Sequence, residues 1–549
     1  MKPNFKMKNI FTFFVFSLLI FNACNKENNS ENSLLRQKDM EEEPNEGMTI
    51  LGEQCPNPYS VENMTIAFDS LVADGVFNIG EEDLSNILIP THLYVRFQPD
   101  DSTAFNVLID DETLELFDYP LDYEIEQRGL YYHDPTIPED ECTWLYTVVP
   151  INFSFPTNIP YQILDSCIIP EENTPYYYYH DKMEEKSCWL FQPDLMEDDE
   201  QKSANQAIPT GCIYVKRDNN WTGVEKTKVR VNNSVKIATG WTSESGYYIV
   251  NKSFYVKNVD YTIVFENQLG FKVWGNWGFI NPATYNIGKN SKYGCNKYFG
   301  YTSVGWNWAT VNNAVYKYFQ YCSSKSITRP PSNLRTWVMT ANNINSTMGC
   351  AGMFRRTWGK YGFNTNSQIS TFISNKSGIV LAVNVLANIT KFAQPDLVIV
   401  IQNGYYNYNH IFQTTFHECA HASHWQKVGS AYWVNYINYI ITYGAYGDGT
   451  GANAGYCGVG EMWGNYVGAL FRKEYFNEVG WDFFQDDEDW FNPGFLRTVD
   501  SIPGISLSDI YNCLTSTTTT FSELITQLKT HTVYESQIDD AYNSYPDWP

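Results

Sequence analysis

The sequence predicts a multidomain α+β protein: an acidic, β-rich N-terminal module, a central β-sandwich and a mainly helical C-terminal α+β domain. Three observations carry this. Between Met40 and Glu200 there are 36 acidic and 4 basic residues, whereas residues 201–400 hold 6 acidic and 22 basic. Between residues 209 and 268 apolar side chains alternate with polar ones at strand spacing. After residue 400 the apolar spacing turns helical. The chain's 549 residues exceed one ordinary domain, and 43% hydrophobic content is enough for several cores.

The chain opens with Lys2, Lys6 and Lys8, then an apolar run from Ile10 to Phe21. That run suits a signal peptide over residues 1–23 and is too short to span a bilayer comfortably. It ends in Phe21-Asn22-Ala23-Cys24, which resembles a bacterial lipoprotein lipobox. The resemblance implies cleavage before Cys24 and a lipid anchor on its thiol. An ordinary secretory signal with an incidental cysteine is the other reading, and both export the protein. The expected location is the bacterial cell envelope, at the outer membrane or the cell surface. Residues 24–50 are polar and charged and read as a flexible tether.

The acidic module spans residues 51–200. Thr91–Phe97 and Trp144–Val149 have strand composition, and Tyr176–His180 reads as a buried or half-buried strand. No motif here carries chemistry. The charge reversal suggests that this module docks on the basic middle of the chain. Nucleic acid is a poor candidate as a partner: export and the interspersed acids argue against it, and no recognition motif appears. Eleven cysteines follow Cys24 with no CxxC pair. The odd number implies a free thiol, and Cys419 is a candidate.

Residues 207–270 carry the alternation: Ile213 and Val215, Val229 and Val231, Val235 and Ile237, Tyr247 and Ile249, then Tyr261, Ile263 and Phe265. Turn residues separate the runs, as at Asp218-Asn219-Asn220 and Glu244-Ser245-Gly246. The pattern GCIYVKRDNNWTGVEKTKVRV followed by TSESGYYIV resembles the carboxypeptidase regulatory-like sandwich, which implies a spacer rather than a reaction.

The last domain is assigned to residues 271–549, with its core from about 330. Trp306–Cys322 has helical spacing, Ile379–Leu386 and Leu397–Ile401 have strand composition, and helices are expected over His410–Lys427, Ala431–Tyr443, Gly460–Tyr475 and from Ser508 onward. The glycine-rich segment Gly444–Gly460 reads as a mobile cleft edge or a plain surface loop.

Three of the chain's eight histidines fall in Thr414–Trp425, TTFHECAHASHW. His417-Glu418-Cys419-Ala420-His421 is an HExxH motif, which chance supplies at about 0.01 per chain of this composition. Four residues apart on a helix, His417 and His421 share a face and can direct ring nitrogens at one zinc ion. Glu418, beside the first ligand, is placed to act as general base toward a water at the metal. The competing reading is an amphipathic helix that happens to carry histidines. His424 lies two turns from His417 and reads as a rim or supporting residue.

A catalytic zinc site needs a third protein ligand. No glycine and third histidine follow His421 at the metzincin spacing. Glu461, a lone carboxylate among Met462, Trp463 and Tyr466, is the candidate, because such a group is costly unless paired or bound to metal. Its alternative role is a carboxylate favoured by a helix N-terminus. Glu474 and Glu478 are other candidates, and Asp448 reads as turn chemistry. Asn465, one turn after Glu461, is expected to hydrogen-bond a ligand histidine. Tyr446, Tyr456 and Tyr466 are the nearest tyrosines for stabilising an oxyanion.

On His417, Glu418, His421 and Glu461 the last domain resembles a zincin metallopeptidase of the gluzincin type, with Glu461 forty positions after His421. The resemblance implies one catalytic Zn2+, a peptide or protein substrate, and Glu418 as the base. The alternative is a surface-binding lipoprotein that holds a glycan or protein, its zincin-like domain being non-catalytic.

Overall fold

The computed structural model describes residues 45–78, 86–138, 141–196, 205–275, 282–381, 386, 389–485 and 489–549. The signal segment, Cys24 and the tether up to residue 44 lie outside the described residues, as do residues 382–385 of Ile379–Leu386, whose other residues are in no strand. The fold is mixed α+β, and Pro44–Pro549 form one compact unit.

Strand pairing begins at Asn45, inside the segment expected to be a tether. The N-terminal module contains β1 (Asn45–Met48), β2 (Ile50–Gln54), helix α1 (Val61–Ala73), β3 (His92–Phe97), α2 (Ser102–Ile109), β4 (Tyr123–Gln127), β5 (Gly129–Tyr131), β6 (Leu145–Pro150), β7 (Tyr161–Cys167) and α3 (Tyr177–Phe191). Its largest sheet has the order β6-β3-β7, all antiparallel. The Tyr176–His180 run is not a strand: it opens α3. Helical spacing sets Tyr179 edge-on to Phe77 at 5.2 Å while Tyr178 faces solvent. Every residue of a strand would have had to choose one of two faces, whereas the helix sorts its tyrosines over a full turn.

The alternating region forms β8 (Thr210–Arg217), β9 (Asn220–Gly223), β10 (Thr227–Asn233), β11 (Lys236–Trp241), β12 (Tyr247–Ile249) and β13 (Asn258–Asn267). There follow β14 (Lys272–Trp274), β15 (Thr284–Ser291) and β16 (Lys297–Phe299). One sheet runs β12-β8-β16 with β9 on β8. The other does not stop at residue 270. It runs β11-β10-β13-β14, then continues through β17 (Arg335–Ala341) and β19 (Leu397–Gln402) to β18 (Met348–Cys350), with β15 also on β13. The boundary placed by sequence therefore falls in the hairpin between β13 and β14, where Glu266 pairs with Lys272.

Helix α4 (Val304–Ser324) packs on β8, β13, β14 and β16, with Trp306, Trp308 and Tyr318 wholly buried. The apolar run Leu397–Ile401 is buried on both faces in parallel pairing with β17. After it come the long helix α7 (Tyr408–Tyr443) and α8 (Ala454–Phe476), which pack against each other. Two shorter helices precede them, α5 (Phe354–Thr357) and α6 (Asn366–Ser377), and four follow: α9 (Gly494–Asp500), α10 (Leu507–Cys513), α11 (Phe521–His531) and α12 (Glu535–Tyr542). Helix α7 bends at Gly429, whose φ of 82° lies in the left-handed region that glycine enters without a Cβ penalty.

Ion pairs link the acidic and basic parts of the chain. Lys228 meets Glu115 at 2.9 Å, Lys236 meets the buried Glu184 at 2.6 Å, and Arg355 pairs with Asp110. The eleven cysteines among the described residues are all free thiols. No helix among the described residues is long and apolar enough to cross a membrane.

Candidate metal centre

Helix α7 starts where Asn407 accepts the His410 N–H at 3.0 Å. Ile411, Phe412, Thr415, Phe416 and Cys419 bury one side of it. The adjoining side, carrying His417 and His421, meets α8. Their Nε2 atoms lie 3.0 Å apart, as i, i+4 residues on one face allow.

Small residues on α8 permit the approach. A Cβ on Gly464 would stand 2.8 Å from His421 Cε1 and 2.9 Å from its Nε2, and one on Gly468 would stand 3.0 Å from His417 Cβ. Trp463 Nε1 donates to the Ala420 carbonyl at 3.1 Å and fixes how the two helices slide against each other.

The donor atoms of His417, Glu418 and His421 lie within 4.8 Å of one another, and this group could hold a metal ion. Glu461 is nearer to the imidazoles than Glu418 is. Its Oε2 is 3.4 Å from His417 Nε2 and 3.5 Å from His421 Nε2, against 3.8 Å from His417 Nε2 to Glu418 Oε1. Three ligands placed tetrahedrally at about 2.0–2.1 Å from a zinc ion lie about 3.4 Å apart. The triangle of Nε2, Nε2 and Oε2 has that size. Oε2 of Glu461 is buried and makes no hydrogen bond, as expected of an oxygen whose partner is a cation. The donor set therefore fits a metal.

The other oxygen of Glu461 is crowded. Lys376 Nζ lies 2.7 Å from Oε1, and Tyr436 OH donates to it at 2.6 Å. Glu461 is fully buried, yet Lys376 and the histidines outweigh burial and hold its carboxyl well below the usual range. His421, also fully buried, is pushed down to about 4 by desolvation, against the pull of Glu461, so its ring is neutral and able to bind a metal. Desolvation drives Glu418 the other way, up to about 7, with His417 and Lys376 opposing. A carboxyl held there is matched to taking and returning a proton near neutrality. Gly349 of β18 lies so close that a Cβ would be 2.6 Å from Glu418 Oε1.

A cleft of about 170 Å3 opens beside this group, lined by Met348, Gly349, His417, Glu418, Tyr446 and Asn465 among others. Tyr446 is the expected tyrosine that reaches it. Tyr456 packs on Tyr432, and Tyr466 donates to Asp500 at 2.5 Å. Asn465 faces the cleft, but its Nδ2 donates to the Glu461 carbonyl at 3.0 Å rather than to a histidine. A carboxamide on a helix finds the carbonyl one turn back more readily than a ring across the interface. His421 Nδ1 is left without a partner. His424 is not at a rim: it is fully buried, against Tyr432 and Trp433, with both nitrogens unpaired. Glu474 pairs with Lys325 at 2.5 Å and Glu478 with Arg472 at 3.0 Å, so neither is free for a metal. Asp448 closes a turn by accepting from Thr450.

Sequence reasoning missed Lys376 and Tyr436. A signal for Lys376 exists: Ile369, Phe372, Ile373 and Lys376 occupy one buried face of α6, and a lysine on such a face needs a buried anion. Tyr436 has no comparable signal among forty tyrosines. No protein-family model matches the chain, and neither does any curated protein.

Proposed function

We propose that the chain is an exported, lipid-anchored zinc metallopeptidase, with His417, His421 and Glu461 holding the metal and Cys24 carrying the anchor. The observation that supports this best is the triangle of donor atoms 3.0, 3.4 and 3.5 Å apart, one of them a buried carboxylate oxygen with no other partner. Bound there, zinc would supply Lewis acidity, lowering the pKa of water and polarising a carbonyl. Glu418, beside the ligands but not needed among them, takes a proton from the attacking water. It passes that proton to the amine as the peptide C–N bond breaks. Tyr446 faces the same cleft and can donate its phenol proton in a hydrogen bond to the developing oxyanion.

The test pairs metal content with turnover. Elemental analysis of the full chain is expected to give about one zinc per chain. Glu418→Gln is expected to keep that zinc and lose about 10²–10⁴ in kcat on a peptide substrate. A Glu418→Gln protein as active as the wild type removes Glu418 as the base. A folded chain that takes up no zinc removes the whole reading.

A second reading has its own observation. A cleft of about 860 Å3 lies in the N-terminal module, lined by Tyr94, Tyr123, Tyr132 and Tyr146 together with Asp122 and Asp165. Aromatic faces beside carboxylates suit a bound glycan or protein segment. On this reading the chain is a surface-binding lipoprotein and the helical domain does not turn over substrate. A zinc-loaded chain that hydrolyses no peptide in a broad substrate screen would favour it.

A further inference from the structure

Glu461 lies at the crossing of three elements. It projects from α8; Lys376 reaches it from the last turn of α6, and Tyr436 from α7 beyond the bend at Gly429. Both groups meet the same oxygen, Oε1, at 2.7 and 2.6 Å. Lys376 is 5% exposed and Glu461 is 0% exposed, so neither exchanges its partner for water. Among the described residues Lys376 has no other carboxylate partner, and its ammonium lies 4.2 Å from the Tyr446 ring centroid. Tyr436 is itself fixed, stacked on Trp433 at 4.6 Å and tilted against the His421 ring at 5.6 Å.

A carboxylate carries two equivalent oxygens and rotates about its last torsion. With both oxygens free, Glu461 could turn either one to a metal, or both. Two donors on one oxygen remove that freedom. The carboxylate is held with Oε1 turned away from the imidazoles and Oε2 turned toward them, at 3.4 and 3.5 Å from the two Nε2 atoms.

We infer that Lys376 and Tyr436 are positioning residues that clamp Glu461 through Oε1, so that it offers a single oxygen, Oε2, to a divalent transition metal beside His417 and His421. This rests on the reading of Glu461 as the third ligand. One oxygen from Glu461 and one nitrogen from each histidine would make three protein donors, one fewer than a closed structural zinc site uses.

The experiment compares Lys376→Met, Tyr436→Phe and Glu461→Gln with the wild-type full chain. Zn2+ affinity is measured by competition with a chromophoric chelator, and the Co2+-loaded absorption spectrum reports ligand number and geometry. Circular dichroism of each metal-free protein shows whether it is folded. Lys376→Met is expected to bind Zn2+ about 10- to 100-fold more weakly, and Tyr436→Phe several-fold more weakly, each with an altered Co2+ band. Should Lys376→Met not fold, Tyr436→Phe, which removes one hydroxyl, decides alone. Folded variants with wild-type affinity and an unchanged Co2+ spectrum, while Glu461→Gln binds weakly, overturn the clamp and leave Glu461 a ligand. Wild-type affinity in Glu461→Gln itself overturns the ligand reading beneath it.

Discussion

Among the buried ionisable groups outside the candidate metal centre, Glu225 is the clearest source of a response to pH. It is 6% exposed, its Oε2 has no partner, and Lys317 meets its other oxygen at 3.1 Å. Desolvation outweighs the lysine and pushes the carboxyl up to about 7, above the ~4.3 of an unfolded chain. The folded state thus holds this proton more tightly than the unfolded state does. The stabilisation from holding it is complete below about pH 4.3 and is lost as pH rises through about 7. Glu225→Gln removes this dependence. Wild type should therefore gain on the variant as pH is lowered from about 7 to 5, by on the order of 1 kcal/mol per pH unit, and stay level with it between about 7 and 8. Thermal melts of the two proteins across that range check it, and a constant difference would show that Glu225 does not titrate there. The same physics explains which residues could be read in advance. His417, Glu418 and His421 were legible because a fixed spacing on a helix makes them converge. Glu461 was legible because a lone acid in an apolar run needs a partner. Tyr436 was not, because nothing in a sequence says which of many buried tyrosines meets a carboxylate from another helix.

At the level of elements, the crossing of α7 and α8 makes the site, and glycines make the crossing. Gly460 and Gly464 stand one turn apart on α8, yet their surroundings differ. A Cβ at Gly460 would rest 3.4 Å from the Tyr436 ring, whereas at Gly464 it would press within 3 Å of the His421 ring. Alanine is favoured over glycine in a helix by about 1 kcal/mol. Gly460→Ala should then melt at or above the wild-type temperature. Gly464→Ala should melt several degrees lower and bind zinc more weakly, since overpacking costs about 1–3 kcal/mol. Equal melting temperatures and equal zinc affinities for the two variants would mean that close approach at Gly464 does not hold the site. The strands and helices themselves were largely legible. Leu397–Ile401 and Trp306–Cys322 became β19 and α4 because long apolar patterns leave little choice. Tyr176–His180 misled because four consecutive aromatics have no period, so composition pointed to a strand while tertiary packing chose a helix.

For the molecule as a whole, the sheet that runs from β11 to β18 joins regions that the sequence separates. The strand alternation was read as ending near residue 270, but hydrogen bonds between strands leave no mark in such a pattern, so that continuity could not be read. A chain trimmed to residues 271–549 would lose β13 from one side of β14 and the Glu266 partner of Lys272. We expect that fragment to aggregate or stay unfolded, although it keeps every proposed ligand. A soluble, cooperatively melting fragment would show that the C-terminal part stands alone. The bond from Trp463 to the Ala420 carbonyl has a wider meaning in this light. It sets the registry of α8 on α7, and a slip of one residue moves a side chain about 1.5 Å along the axis. Such a slip would carry Oε2 out of reach of both imidazoles. Under the proposed function, metal capture would then work as a checkpoint on assembly: an ion would be retained only by chains whose two helices have docked in the one correct alignment.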